Sequence, residues 1–120
     1  MPKTILVVED NPDAREMVSH ILSAEGFLIM TAEDGQQALD LVKDRPPDLI
    51  ITDIQMPNVD GIEMIKRMRE RPRSKAVPIV VMSAFSSRAT QKALDAGANQ
   101  SEPKPMQVES LLRVVRKLLS

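Results

Sequence analysis

The stretch DLIITDIQMPNVDG, residues 48–61, sets a carboxylate where an aliphatic run stops and a turn-rich loop begins. Leu49, Ile50 and Ile51 have the unbroken apolar character of a strand buried on both faces, and Asp53 closes it. Met56-Pro57-Asn58-Val59-Asp60-Gly61 then turns the chain toward a helix. Three other short aliphatic runs share this form: Ile5–Val8, Phe27–Thr31 and Ile79–Met82. Helical spacing fills the intervals. Ala14, Met17, Val18, Ile21 and Leu22 fall on one helix face, as do Ala38, Leu41 and Val42, then Ile62, Ile65 and Met68, and finally Val108, Leu111, Leu112, Val115, Leu118 and Leu119.

Boundary residues agree with that division. Asn11-Pro12 reads as an N-cap with proline in the first helical position, and Asp60 with Glu63 reads as a capping box. Asp34-Gly35 and Pro46-Pro47 bracket the second helix, and Gly26 and Gly97 end helices. Alternating strands and helices imply parallel strands joined by right-handed crossovers. The expected fold is α/β, a three-layer doubly wound domain over residues 1–120. Its fifth strand must fall between Gly97 and Lys104, where ANQSEPKP has almost no strand character.

Composition narrows the function. The 120 residues are 42% hydrophobic and 28% charged, as in an ordinary soluble domain, and suffice for a single core. A net charge of −1 gives no electrostatic case for direct nucleic-acid or anionic-membrane binding. The basic run from Lys66 to Arg73 reads as a solvated helix end. With no cysteine and His20 as the one histidine, thiolate zinc sites and a catalytic triad within the chain are excluded. His20 is expected at the surface without a function. The first apolar run is too short for a signal peptide or a membrane span, so a cytoplasmic location is expected.

Ligands of open parallel sheets bind beyond the carboxyl ends of the strands. Glu9 and Asp10 follow the first strand and Asp53 ends the third, which are neighbours in a flavodoxin-like order. Three converging carboxylates need a cation, and a hard divalent ion such as Mg²⁺ (or Mn²⁺) suits oxygen ligands, with the Gln55 backbone carbonyl as a further donor. Ser83 and Lys104 follow the fourth and fifth strands. A hydroxyl and an ammonium beside a carboxylate and a metal suit phosphoryl transfer, with Asp53 as nucleophile.

The segments ILVVEDN (5–11), DLIITDIQMPNVDG (48–61), VMSA (81–84), GA (97–98) and KP (104–105) together resemble the receiver domain of two-component response regulators, along nearly the whole chain. That resemblance implies five parallel strands in order 2-1-3-4-5 with five helices. Asp53 would accept a phosphoryl group from a histidine kinase or histidine phosphotransfer protein. Glu9, Asp10 and the Gln55 carbonyl would help hold Mg²⁺, Ser83 would be the switch hydroxyl, and Lys104 would pair with the modified carboxylate. A cis Lys104–Pro105 bond and a downstream effector protein are also implied.

One region departs from the family pattern. Ser101 stands where an aromatic residue is usual, Glu102 where an aliphatic one is, and Met106 where phenylalanine is common. Phe85 is then a candidate cover over the site, or Ser101 and Glu102 form a polar docking surface on an exposed edge. Val114 beside Val115 hints at extra apolar surface on the last helix. Because the chain starts at Met1 and ends with its helix, a stand-alone receiver is expected over one excised from a larger regulator or hybrid kinase. A phosphate-independent pseudoreceiver is disfavoured by the complete set Glu9, Asp10, Asp53, Ser83 and Lys104. A haloacid-dehalogenase-type phosphohydrolase is disfavoured because Gln55 stands where its second aspartate would be.

Overall fold

A computed structural model describes residues 2–83 and 87–120, excluding the Ser87 side chain. The elements are β1 (Thr4–Val8), α1 (Pro12–Ala24), β2 (Leu28–Ala32), α2 (Gly35–Asp44), β3 (Leu49–Asp53), α3 (Gly61–Arg69), β4 (Ile79–Ser83), α4 (Ser87–Ala96), β5 (Gln100–Pro103) and α5 (Val108–Leu119). The strands form one parallel sheet in the order β2-β1-β3-β4-β5, as expected.

The absence of polar alternation in the strands has its cause in two buried faces. Leu6, Val8, Ile50, Ile79 and Val81 pack against Leu39 and Val42 of α2, Met64, Ile65 and Met68 of α3, and Ala93 of α4. Ile5, Val7, Leu49, Ile51, Val80 and Met82 pack against Val18 and Leu22 of α1 and Leu111 and Val115 of α5. Both layers remove strand and helix side chains from water, at about 25 cal/mol per Å² of apolar area.

Helix ends follow the sequence. Asn11 Oδ1 accepts from the Ala14 amide (3.0 Å), with Pro12 next to it. Asp60 Oδ1 accepts from the Glu63 amide (2.9 Å), but the Glu63 carboxylate pairs with Arg67 (3.0 Å), so only half of the capping box forms. Gly97 has φ +125°, and a Cβ there would also press on Arg69, so glycine is required twice over.

The buried stripes are narrower than the sequence spacing. Met17 is 52% exposed, and Leu41 and Val108 also face solvent, whereas Leu39 is fully buried. Val114 is buried and adds no exposed apolar surface, correcting that expectation.

The fifth strand forms despite its composition. Its backbone pairs with β4 from Val80↔Gln100 to Ser83↔Pro103, while bonds from Asn99 N to Ile79 O (2.8 Å) and Lys104 N to Ser83 O (2.9 Å) close both ends. Pairing across from Met82 turns Glu102 toward α1 and α5, where it is only 8% exposed. Its Oε1 has no hydrogen-bond partner among the described residues. Glu102 is therefore not part of an exposed polar surface, which corrects the docking expectation. Ser101 pairs with Val81 and is half-buried. Phe85 lies outside the described residues. His20 is exposed, as expected.

Candidate functional site

Beyond the carboxyl ends of the central strands, three carboxylates and an ammonium meet. Oxygen atoms of Glu9, Asp10 and Asp53 all lie within 4.8 Å of one another. Asp53 ends β3. Its Oδ1 accepts from the Ile54 amide and its Oδ2 from Lys104 Nζ, each at 2.7 Å, so the carboxylate plane is fixed at both oxygens. Lys104 Nζ also donates to Glu9 Oε1 at 3.1 Å. Glu9 Oε2 accepts from the Asn11 amide at 3.1 Å, and Arg15 donates to the Glu9 carbonyl at 2.8 Å. Asp10 is the exposed member of the group.

The electrostatics are those of an anion excess. Burial, with Asp10 and Asp53 adding to it, raises the Glu9 carboxyl above its ordinary range, although the Asn11 amide and Lys104 oppose this. Burial alone would lower the Lys104 ammonium, but Asp53 and then Glu9 more than offset it and raise it above the usual lysine value. The two shifts look discordant for one ion pair. They agree because burial is the largest influence on Glu9 and is only partly opposed there, whereas for Lys104 the two carboxylates outweigh it. Two negative charges remain uncompensated, the charge of a divalent cation, and the donors are all hard oxygens.

Most of the expected site residues come together here. Ser83 ends β4 one residue beyond Met82, the register partner of Asp53, and its carbonyl accepts the Lys104 amide. Gln55 is exposed in the loop after β3. The Lys104–Pro105 bond is cis. Ser101 and Glu102 lie on β5, away from the acidic group, and face opposite sides of the sheet.

Sequence reasoning passed over two supports. Thr52, fully buried, donates through Oγ1 to the Asp53 carbonyl at 2.8 Å. Asn58 has φ +64° and donates through Nδ2 to Asp34 Oδ2 at 2.8 Å. An asparagine in a tight loop signals the left-handed backbone, but its partner 24 residues away carries no local signal. The basic run was also misjudged. Arg69, Arg71 and Arg73 all donate to backbone carbonyls, so three of the five basic residues of that run have a structural role, and of these Arg69 and Arg71 are half-buried while Arg73, like Lys66 and Arg67, is exposed.

The sequence model of the response regulator receiver domain matches residues 5–116. The chain belongs to that family. Its receiver relatives include the response regulator MprA of Mycobacterium sp. (strain KMS), 40% identical over 99% of this chain but only 51% of the relative, so the chain spans about half the length of that protein. A putative response regulator of Chloroflexus aurantiacus shares 32% identity and a TM-score of 0.96 over 99% of this chain and 98% of the other. The receiver domain of sensor histidine kinase PA1611 of Pseudomonas aeruginosa, solved with a magnesium ion coordinated in its active-site cleft, shares 27% identity and a TM-score of 0.93 over 99% and 98%. Receiver domains are phosphoacceptor modules of two-component signalling rather than conventional enzymes, and they work with histidine kinases and effectors. Among the described residues of this receiver, no helix is long and apolar enough to cross a membrane.

Proposed function

We propose that residues 1–120 form one cytoplasmic receiver domain whose phosphoacceptor is Asp53. The observation that carries this reading is the meeting of Glu9, Asp10, Asp53 and Lys104 at the strand ends with two negative charges in excess. Glu9, Asp10, Asp53 and the Gln55 carbonyl would hold Mg²⁺, or Mn²⁺, in agreement with the magnesium ion in the Pseudomonas receiver domain. When bound, the metal supplies charge neutralisation for the transferring phosphoryl oxygens.

The chain's own residues do the rest. An Asp53 oxygen attacks phosphorus, the donor's P–N bond breaks, and its electron pair returns to the histidine nitrogen of a kinase or phosphotransfer protein. Lys104, already 2.7 Å from Asp53, follows the added negative charge. Because the Lys104 amide is bonded to the Ser83 carbonyl, the β4 and β5 ends shift together, and the Ser83 hydroxyl closes on the phosphoryl oxygens. An effector protein then reads the altered surface.

The test is incubation with Mg²⁺ and a small acyl phosphate, followed by peptide mass spectrometry. A phosphoryl group is expected on Asp53 in the wild type, none in Asp53→Ala, and none when the metal is chelated. A wild type that stays unmodified refutes the reading.

A further inference from the structure

The loop carrying Gln55 is tied down at its base and at its tip. At the base, the Gly61 amide donates to the Ile54 carbonyl at 2.7 Å. At the tip, the Gly35 amide donates to the Val59 carbonyl at 3.1 Å, and Asn58 Nδ2 donates to Asp34 Oδ2 at 2.8 Å. Asp34 has a second task. Its Oδ1 accepts from the Gln37 amide at 2.8 Å and so caps α2. One carboxylate thus uses one oxygen to start a helix and the other to hold the loop. Asn58 can reach it because its backbone sits at φ +64°, which few residue types tolerate. A Cβ on Gly35 would collide with the Val59 carbonyl, so α2 and the loop meet backbone to backbone.

We propose that the Asp34–Asn58 pair is a positioning latch that holds the Gln55 carbonyl in place for the metal of the proposed site. The inference rests on the reading of that site as a metal-dependent phosphoacceptor. Neither residue touches the acidic group; each acts through the path of the loop from Ile54 to Gly61. A donor set held at both ends needs little reordering to close on a cation, and outer partners of this kind govern metal affinity. The Gly35–Val59 backbone bond depends on the same latch, because it shares the tip of the loop with Asn58.

The experiment compares the 120-residue wild type with Asn58→Gly, Asp34→Ser and the double variant. Glycine keeps the backbone freedom at position 58 and removes only the amide. Serine keeps a cap for α2, removes the second oxygen, and leaves the loop's own sequence unchanged. Calorimetric titration with Mg²⁺ measures affinity, and hydrogen exchange of the Gly35 amide in metal-free protein reads the latch without any metal. Each single variant is expected to weaken Mg²⁺ binding about tenfold, as loss of an outer partner does. Gly35 exchange is expected to speed up in both. The double variant is expected to match the singles, since all three break one contact. If the wild type binds no Mg²⁺ and takes no phosphoryl group, the site reading falls and the latch with it. If the wild type does both but either variant binds within about twofold of it, or the effects add, the latch alone is overturned.

Discussion

The two ends of the sheet solve opposite problems. At the carboxyl ends of the strands, three carboxylates crowd one ammonium, and charge is left over. At the amino ends, Arg69 donates to five acceptors: the carbonyls of Ser74, Lys75, Val77 and Gly97, and the Asn99 side chain, at 2.7–3.1 Å. No carboxylate is among them. Burial lowers the Arg69 guanidinium, while neutral dipoles satisfy its donors in full. Charge without compensation is costly to keep and marks a place where something else must bind. A charge wholly satisfied by neutral dipoles marks a joint. The lower end closes the turn before β4, the end of α4 and the start of β5 around one side chain.

The largest expected effect breaks the lower joint. Arg69→Ala should cost about 2–4 kcal/mol, because the buried or half-buried carbonyls of Ser74, Val77 and Gly97, together with the exposed Lys75 carbonyl and the Asn99 amide, lose a shared donor. Urea denaturation measures it, and a loss below about 1 kcal/mol would make the joint ornamental. At the upper end the sign should reverse. Asp53→Asn removes one of the crowded charges while keeping an acceptor for the Ile54 amide, and should stabilise the metal-free protein by about 1 kcal/mol. The same variant should lose most of the gain that Mg²⁺ gives the wild type, which is about 2.7 kcal/mol at one hundred times the dissociation constant. If Asp53→Asn destabilised the metal-free protein instead, the Lys104 ion pair would outweigh the crowding and the comparison would fail.

Glu102→Leu sharpens the contrast from a third position. It replaces an oxygen buried without a partner among the described residues by apolar atoms beside Met82, and should stabilise by about 1 kcal/mol in the same denaturation experiment. The smallest effect is one of pH. The Gln37 amide first, and then Asn58, hold the Asp34 carboxyl below its ordinary value. A group depressed on folding contributes stability above its unfolded value, and that contribution is lost as pH falls through the lower folded value. The wild type should therefore exceed Asp34→Ser in melting temperature at neutral pH, with the gap closing below about pH 4. Asp34 is only half-buried and stays in contact with water, so screening should keep the gap small. A gap that is constant with pH would show that the carboxylate charge adds nothing.

The three central strands could be read directly, because a strand buried on both faces has no choice but aliphatic residues, as at Ile5–Val8 and Ile79–Val81, whereas the edge strand Leu28–Ala32 was legible by its apolar letters although much of it faces solvent. The charged end could be read for a related reason: Glu9, Asp10 and Asp53 each stand where such a run stops, while Lys104 follows the strand that has no such run. Gln100–Pro103 could be placed only by elimination, since its strand character comes from the backbone of β4 and not from its side chains. The residue that faces inward from it, Glu102, breaks the very rule by which the others were found. Arg69 was opaque for another reason. All but one of its acceptors are main-chain carbonyls, which every residue has, so nothing in the letters distinguishes a solvated arginine from a fully bonded one. Asn58 lies between these cases, since its type hinted at its backbone but not at Asp34.

Asn99 gives the lower joint a further property. Its Oδ1 accepts from the Ile79 amide at 2.8 Å and from Arg69 at 2.9 Å. Two positions 30 residues apart thus answer to a single atom. In a lineage drifting under mutation, neither is free to change first without stranding the other. Among descendants of this chain, Arg69 and Asn99 should be inherited or lost together, as a linked pair of letters far from any chemistry the protein performs.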